Sequence, residues 1–298
     1  VLDLTADLVI GTSGIEPGQF MEPKGIATAP DGRVYVVDMR NHRVQRFSPE
    51  GEYELSWGSY GDIDLGTGDP GTFKEPWGIA VAADGSVFVA DTWNHRIQKF
   101  TPEGQYLTSW GYFGQDGSPN AFYGPRDVEI DSKDRVFVSD TGNKRVVIFT
   151  TAGAYLGQVG TPGMGLGQFD EQVGIAIDDA GSLFVADTWN QRIQKFTEAT
   201  TANTFIPNKQ WDVSAWYGTS VDNKPYMTVD SAGRVYISDP ESYRIIVFDN
   251  EGNYLFSWGD YGSVNSRFDL PVDLAVDNRG FVWVSDSGNN RVMRFTIP

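Results

Sequence analysis

Short apolar runs alternate with turn-forming residues along the whole chain, and the same order of runs returns at intervals of about fifty residues. In one copy, an apolar run at 78–82 precedes a turn, and alternating segments follow at 87–91, 96–100 and 106–111. Alternation with period two between Asp-Gly and Glu-Gly turns predicts short antiparallel strands. No stretch sustains a period of 3.6 residues, so we expect almost no helix.

A motif of Asp, four residues and Arg marks each copy. It occurs six times, and successive Asp residues are separated by 53, 49, 47, 52 and 47 positions. The motif Asp residues are Asp38, Asp91, Asp140, Asp187, Asp239 and Asp286. Six units of four antiparallel strands predict an all-β fold, a six-bladed β-propeller that occupies residues 1–298 as a single domain.

The two ends of the chain predict how the ring closes. The sixth unit stops after residues 291–298, one strand short of four, and residues 2–11 match the fourth-strand position ahead of the first unit. We therefore expect the N-terminal strand to complete the last blade, so that no sheet edge stays open. In the fourth unit, residues 197–208 replace a short turn, and we expect a tolerated loop insertion there.

Six units of the form GIAV-DG-VFVADT-NHRIQKF-PEG-YL-SWG resemble NHL repeats of the bacterial type, which occur alone or appended to membrane proteins. The resemblance covers essentially the whole chain and also implies a six-bladed β-propeller. Members of that family serve as protein-interaction or RNA-binding platforms, as extracytoplasmic sensor domains and, in the peptide-amidating lyases, as metal enzymes. The resemblance thus favours an extracytoplasmic location, but a fold does not settle a function.

The charge of the chain limits its partners. Its net charge is −17, from 40 acidic and 23 basic residues. Nucleic acids and anionic membranes require clustered Lys and Arg, so we expect neither as a partner. There is no cysteine for a disulfide or thiolate site, and no apolar run predicts membrane insertion by this chain. Because the chain opens at Val1 without Met, we interpret it as processed or as a domain of a larger polypeptide, which the family resemblance implies to be membrane-attached.

Any ligand should meet the face that carries the motif loops and the long connections between blades, because variable loops on a rigid scaffold bind ligands. At the centre of this face, the residues at the start of each first strand depart most from the repeat. We predict that a ligand binds there to Lys24, Trp77, Arg126, Asp127, Tyr226 and Asp273. An aromatic ring flanked by two cations can hold an anionic or sugar-like ligand.

Carboxylates of the same region suggest a second chemistry. Asp127, Glu129 and Asp273 can hold a hard cation such as Ca²⁺ through their oxygens, or they are solvated polar residues of a channel mouth. No other cofactor and no nucleophile–base pair is indicated. Trp93 and Trp189 occupy one position of the motif, where they either stack on a ligand or pack against the adjacent loop.

Two other groups of residues are expected to be structural. Each motif Asp–Arg pair brackets one turn in every blade, whereas a single catalytic centre cannot require all six pairs. His42 and His95 share a position that other blades fill with different polar residues, which predicts a solvent-facing position. Since no inner strand contains a histidine, the zinc chemistry that the amidating lyases imply is not expected.

Three functions follow from these observations. The leading prediction is a non-catalytic propeller that binds a protein, peptide or carbohydrate on the loop-bearing face. The alternative is a metal-dependent propeller enzyme, lactonase-like or lyase-like, that uses the carboxylates at the channel mouth. RNA binding is a third possibility, which the family resemblance suggests and the net charge opposes.

Overall fold

The computed structural model describes residues 1–216 and 223–298. Six antiparallel sheets of four strands are arranged around an axis as the blades of a propeller, which confirms the predicted fold. In blades one to five the strands pair in chain order, and in all six blades the motif Asp ends the second strand opposite the motif Arg of the third. The tight turns and the motif loops therefore lie on opposite faces.

The strands of the blades are short. Blades one and two consist of Pro23–Thr28, Val34–Asp38, Arg43–Phe47 and Tyr53–Trp57, and of Ile79–Val81, Val87–Asp91, Arg96–Phe100 and Tyr106–Trp110. Blades three and four consist of Asp127–Ile130, Arg135–Asp140, Arg145–Thr150 and Tyr155–Val159, and of Gln172–Ile177, Leu183–Asp187, Arg192–Glu198 and Phe205–Asp212. Blades five and six consist of Met227–Val229, Val235–Asp239, Arg244–Phe248 and Tyr254–Trp258, and of Pro271–Val276, Val282–Asp286, Arg291–Phe295 and Leu8–Ile10.

Other regular elements are single turns and two-residue strands. The 3-10 turns are Met39–Asn41, Thr92–Asn94, Thr141–Asn143, Ser214–Trp216 and Pro240–Ser242. Two connections between blades contain parallel pairs, Tyr112–Phe113 with Ala121–Phe122 and Thr161–Pro162 with Gln168–Phe169. Across the described ranges, helical segments are too short and too polar for any of them to cross a membrane.

The N-terminal strand closes the ring, as predicted. Leu8–Ile10 pairs antiparallel with Arg291–Phe295 and supplies the fourth strand of blade six. Asp7 reinforces this closure because its carboxylate accepts hydrogen bonds from Arg294 Nε at 2.6 Å and Thr296 Oγ1 at 2.7 Å. The strand is shorter than the sequence suggested, since Leu2 and Ala6 bond outside blade six: Leu2 N donates to Ser257 O and Ala6 N donates to Asn265 O.

Tryptophans at the ends of fourth strands fill the gaps between blades, as expected from the sequence. The ring of Trp57 packs 5.6 Å from Phe100 of the next blade. It also lies against Gly104, where a Cβ atom would come within 2.6 Å of Trp57 Cδ2. Gly104 has a φ of +81°, so the tight turn and the inter-blade contact both require glycine.

The motif Asp ties three segments of a blade together. Asp91 Oδ1 accepts the backbone N–H of Lys74, and Asp91 Oδ2 accepts hydrogen bonds from Asn94 Nδ2, Arg96 Nε and Gln98 Nε2. The guanidinium of Arg96 also donates to carbonyl oxygens of the preceding connection, including that of Thr72. The predicted structural role of the Asp–Arg pair is thereby observed, and it includes fastening the long connections to the blades.

The insertion in blade four is part of a hairpin. Residues 197–198 extend the third strand and pair with residues 205–206 of the fourth, so the expected loop insertion lengthens the hairpin between these two strands. The extension packs on blade three, where Arg135 donates hydrogen bonds to Glu198 and Asn203. Phe205 also contacts Phe137 edge-on, with ring centroids 5.5 Å apart. The inserted residues therefore strengthen one inter-blade contact.

Candidate functional site

The segments that enter the first strands place charged side chains at the channel mouth on the loop-bearing face. Glu22, Glu75 and Glu171 occupy equivalent positions and adopt left-handed conformations with φ of 51°, 46° and 51°. The backbone N–H of Glu22 donates to Asn290 Oδ1 of blade six, and that of Glu75 donates to His42 Nδ1 of blade one. Neighbouring blades thus hold a backbone conformation that is unfavourable for a residue with a side chain.

Trp77 lies at the centre of this mouth between two cations. Lys24 Nζ lies 5.2 Å from the centroid of the Trp77 ring, and Arg126 Cζ lies 4.6 Å from it. Trp77, Lys24 and Arg126 come from three adjacent blades, and each is only 4% exposed. Cations stacked on an indole face in a desolvated setting are held by its quadrupole, so the three side chains form one unit.

A third cation, Lys224, lies beside this unit in blade five. Its side chain is fully buried, with Nζ 4.5 Å from the ring centroid of Trp189 and 3.9 Å from Glu171 Oε2. Arg126 Nη1 also lies 3.9 Å from that oxygen. Burial lowers the pKa of Lys224 to about 8, an effect that Glu171 partly offsets. Within residues 1–216 and 223–298, Lys224 Nζ has no hydrogen-bond partner.

We call Lys24, Trp77, Arg126 and Lys224 the mouth site. Two cavities open beside it, with volumes of about 370 Å³ and about 180 Å³. Trp93 lines both cavities, and its ring lies 5.9 Å from Arg126 Cζ. The larger cavity is also lined by the polar residues Glu22, Arg40, Glu75, Asn223, Ser287 and Asn290. Its volume is within the range of small-molecule binding sites in proteins.

Tyr226 crosses the channel beneath the mouth site. Its side chain is fully buried, and its hydroxyl donates a 2.6 Å hydrogen bond to the carbonyl oxygen of Arg126. Because the two residues belong to blades five and three, this contact spans the channel. Burial raises the pKa of the Tyr226 hydroxyl well above its usual value, which keeps the hydroxyl neutral as a donor.

Two carboxyl groups at the same level connect neighbouring blades. Asp127 accepts the backbone N–H groups of Val128 and Ile175, and Asp273 accepts those of Ile26 and Leu274. Burial raises the pKa of Asp273 to about 8 and that of Asp127 well above its usual range, where the neighbouring carboxyls add to the effect. All four carboxyl oxygens are therefore engaged in holding the inner strands.

Glu129 faces the other end of the channel, where it lines a cavity of about 190 Å³. Desolvation raises the pKa of its carboxyl, and Asp273 adds to that shift. In the described part of the chain, no group of three or more His, Asp or Glu side chains is arranged to hold a metal ion. The structure thus does not place Asp127, Glu129 and Asp273 in such a group, and the engagement of Asp127 and Asp273 with backbone N–H groups explains why.

Comparisons with known proteins agree with this architecture. The NHL repeat pattern matches residues 20–47, 73–100 and 268–295. A family described as a 6-bladed beta-propeller matches residues 120–227.

The chain is a six-bladed propeller that contains NHL repeats. Among curated relatives, it is 31% identical to Protein brain tumor of Drosophila melanogaster over 103 residues, which are 34% of this chain and 9% of that protein. It is 32% identical to peptidyl-alpha-hydroxyglycine alpha-amidating lyase 1 of the same fly over 93 residues, 31% of this chain and 17% of the lyase. Human NHL repeat-containing protein 3 is 31% identical over 77 residues, 25% of this chain and 22% of that protein. The matched segments thus span less than a quarter of the length of each of these relatives.

Solved structures share the fold over nearly the full length. A gluconolactonase from Xanthomonas campestris has a TM-score of 0.66 and 14% identity, covering 98% of this chain and 97% of that one. A streptogramin B lyase has a TM-score of 0.63 and 12% identity, covering 98% of each chain. At such identities the similarity shows a shared fold and does not assign an activity to this chain.

The structure brings together part of the ligand-binding site that the sequence predicts. Of the six predicted ligand-binding residues, Lys24, Trp77 and Arg126 meet at the mouth, while Asp127, Tyr226 and Asp273 lie beneath them in bonds within the protein. Trp93 and Trp189 lie beside the cations Arg126 and Lys224 respectively, so both tryptophans belong to the surroundings of the mouth site.

The two histidines are less exposed than predicted. His42 and His95 are both half-buried, and the Nδ1 atom of each accepts a backbone N–H, that of Glu75 and that of Gly124 respectively. Burial lowers the pKa of both imidazoles, which favours the neutral form that can accept such a bond. Their position is therefore structural, and it supports the residues that enter the next blade.

Lys224 and Glu171 were missed by sequence reasoning. A signal for Lys224 was present one position ahead of the aligned mouth residues, where four blades have proline, at 23, 76, 125 and 271, and blade five has lysine. Proline fits that position because it lies at or just before the first residue of an inner strand, where no N–H donor is needed. Lys224 therefore departs from the repeat at this position. An alignment of the six units that begins one residue earlier shows this departure.

Proposed function

We propose that this protein is a non-catalytic binding propeller, and that its ligand, a carbohydrate or a short peptide, binds at the mouth site. The observation that carries this proposal is the convergence of Lys24 and Arg126 on the ring of Trp77 beside a cavity of about 370 Å³. Charged side chains at 4% exposure are costly to hold unless they serve packing or recognition. The open cavity next to them supports recognition.

The surrounding residues fit a polar ligand of modest size. Trp93 offers an aromatic face to both cavities, and Glu22, Glu75 and Asn290 offer acceptors at the rim of the larger one. Asp127, Tyr226 and Asp273 form the floor of the site, since their bonds hold the inner strands in position under the cations. A binding site supported in this way is preorganised, which reduces the entropic cost of recognition.

Fluorine NMR on protein labelled with 5-fluorotryptophan tests the proposal. The probes are N-acetylglucosamine, cellobiose, D-glucuronate and N-acetylated tripeptides, and the Trp77→Phe and Trp93→Phe variants assign the two signals of interest. We expect at least one probe to shift the Trp77 and Trp93 signals while the signals of inter-blade tryptophans such as Trp57 stay in place. Probes that leave both mouth signals unmoved would contradict the proposal.

Variants then locate the site for the probe that binds. Arg126→Gln should weaken its binding at least roughly tenfold, because a desolvated cation that faces the ligand is lost. Trp57→Phe serves as the matched control, since it changes an aromatic residue between blades and should lower stability without changing the dissociation constant. Equal binding by the Arg126→Gln variant would remove the mouth site from consideration.

A metal-dependent lactonase or lyase is the second candidate. It is favoured by the channel carboxyls Asp127, Glu129 and Asp273, whose pKa values are raised, and by the fold similarity to a gluconolactonase and a streptogramin B lyase. The carboxyls do not fit a calcium site as they stand, because the oxygens of Asp127 and Asp273 accept backbone N–H groups. No catalytic step is therefore derived for them.

Elemental analysis by plasma mass spectrometry decides between the candidates, on protein purified without chelators or metal-affinity resin. The binding proposal expects no stoichiometric calcium or zinc and no hydrolysis of D-glucono-1,5-lactone above the buffer rate. A near-stoichiometric metal, together with hydrolysis that Asp273→Asn abolishes, would establish the enzyme instead.

A further inference from the structure

We infer that the ligand of the mouth site is a sugar acid, a hydroxylated carboxylate of monosaccharide or disaccharide size, whose carboxylate binds between Arg126 and Lys224. This inference rests on the proposed function and specifies the chemistry that the site recognises. It follows from the position of Lys224, from the carboxylate that the two cations approach and from the two cavities that share Trp93. Arg126 and Glu171 line the smaller cavity, and polar residues line the larger one.

The ammonium group of Lys224 is buried and lacks a hydrogen-bond acceptor among the described residues. Within the described ranges, this ammonium group lies 4.5 Å from the ring centroid of Trp189 and 3.9 Å from Glu171 Oε2, and the latter distance is too long for a hydrogen bond. A buried ammonium with unused donors is costly, and an acceptor with negative charge relieves that cost.

Several indole N–H groups are also buried without a partner, so such a group alone is not diagnostic. Those of Trp57, Trp110, Trp211 and Trp258 belong to tryptophans at the ends of fourth strands. That of Trp77 differs because it belongs to the mouth site. The unsatisfied lysine is therefore the decisive observation, and Trp77 supplies a further unused donor nearby.

Glu171 shows which chemical group the two cations accept. Its Oε2 atom lies 3.9 Å from Arg126 Nη1 and 3.9 Å from Lys224 Nζ, so one carboxylate oxygen approaches both. Neither distance is a hydrogen bond, and the glutamate is anchored by a backbone with a φ of 51°. A mobile carboxylate of a ligand can come closer to both cations than this glutamate does, and it would give Lys224 Nζ a charge-assisted hydrogen bond.

The lining of the larger cavity matches hydroxyl groups. Glu22, Glu75, Asn223, Ser287 and Asn290 provide carboxylate, amide and hydroxyl groups, and Trp93 provides an aromatic face. Arrays of such groups beside an aromatic ring suit the polar edge and the apolar face of a sugar ring. A cavity of about 370 Å³ has room for one or two such rings.

Three matched ligands test the inference by isothermal titration calorimetry. D-glucuronate carries a carboxylate at the position where D-glucose has a hydroxymethyl group and glucose 6-phosphate has a phosphate ester. We expect glucuronate to bind at least roughly tenfold more tightly than glucose. If glucose binds equally well, or if only glucose 6-phosphate binds, the carboxylate assignment is wrong.

Two variants with opposite expected effects locate the carboxylate. Lys224→Met should weaken glucuronate binding at least roughly tenfold, and Glu171→Gln should strengthen it because a competing carboxylate is removed. Lys209→Met is the matched control, since Lys209 pairs with Glu251 on the surface, outside the mouth site. Should Lys224→Met fail to fold, Glu171→Gln still decides, because unchanged or weaker binding by that variant contradicts the inference.

Proton uptake gives an independent readout. The groups that act on Lys224 are Glu171, Arg126, Asp170 and Glu241. A bound carboxylate raises the pKa of Lys224 from about 8, so glucuronate binding at pH 8.5 should take up a fraction of a proton. Calorimetry in buffers with different ionisation enthalpies measures this uptake, and equal heats in all buffers would contradict the inference.

Failure of this inference can be told apart from failure of the proposed function. If cellobiose or a tripeptide shifts the Trp77 fluorine signal while glucuronate does not bind, the binding function stands and the carboxylate specificity is wrong. If none of the probes affects Trp77, both proposals fail.

Discussion

Asp91 illustrates how a repeated residue acquires a structural rather than a chemical role. Its side chain is fully buried and bonded to three side chains and one backbone N–H, and the side chain of its partner Arg96 is only 8% exposed. In blade five the equivalent Asp239 is also buried, but Arg244 is 40% exposed and Ser242 replaces the motif Asn. Solvent can therefore stabilise Arg244 when its partner is removed.

This difference predicts unequal effects of the same substitution. Asp91→Ala should lower the free energy of unfolding by about 3–5 kcal/mol, because it leaves a buried guanidinium without its carboxylate. Asp239→Ala should lower it by only about 1–2 kcal/mol, because the exposed guanidinium of Arg244 can hydrogen-bond to water instead. Urea denaturation followed by circular dichroism measures both values. Equal losses in the two variants would show that burial of the arginine is not the determining factor.

The elements of each blade were largely predictable because strand and turn patterns are local. The segments predicted for the second unit agree with the strands Val87–Asp91, Arg96–Phe100 and Tyr106–Trp110 to within one residue. The hairpin of blade four was not foreseen, since residues 197–208 lack a clear alternation and their pairing depends on packing against Arg135 and Phe137. Local pattern therefore defined the strands, while contacts between blades decided the irregular segment.

Two glycines of the tight turns separate backbone strain from inter-blade packing. Gly104 and Gly181 both have a φ of +81°, but a Cβ atom on Gly104 would meet Trp57, whereas one on Gly181 would meet nothing within 4 Å. Gly181→Ala should cost about 1–2 kcal/mol from the left-handed backbone alone. Gly104→Ala should lower the free energy of unfolding by about 1–3 kcal/mol more than Gly181→Ala does, because the Trp57 ring must move.

Equilibrium unfolding in guanidinium chloride measures both variants under identical conditions. Since the backbone conformations match, the difference between the two losses reports the contact of the turn with the neighbouring blade. If Gly181→Ala is as costly as Gly104→Ala, the inter-blade tryptophan does not constrain the turn.

For the molecule as a whole, the channel carboxyls make stability depend on pH. Burial raises the pKa of Asp273 to about 8, so the folded protein retains a proton that the unfolded chain releases near its usual carboxyl pKa of about 4. The stability that this proton provides is complete below about pH 4 and declines as the pH rises toward 8. Asp127 and Glu129 shift in the same direction. Lys224 does not contribute to this pH dependence below its own pKa of about 8, because its side chain is protonated in both the folded and the unfolded state there.

We therefore expect the free energy of unfolding to fall between pH 5 and pH 8 by at least about 1.4 kcal/mol, the equivalent of one pKa unit. Asp273→Asn should reduce this dependence because it removes one titrating group. Asp3→Asn is the control, since Asp3 is exposed and the charge change is identical. Urea titrations at several pH values measure the slope, and a variant slope equal to that of the wild type would contradict the raised pKa.

Sequence alone determined the number of blades, their strands and the closure of the ring, because each depends on a repeated local pattern and on one missing strand. It also indicated Lys24, Trp77 and Arg126, since these positions depart from the repeat. Only the tertiary structure decided that Asp127 and Asp273 connect blades, that Tyr226 spans the channel and that Lys224 joins the cations. These roles depend on distances between blades whose residues lie up to 247 positions apart in the chain, and the pattern within one blade contains no information about them.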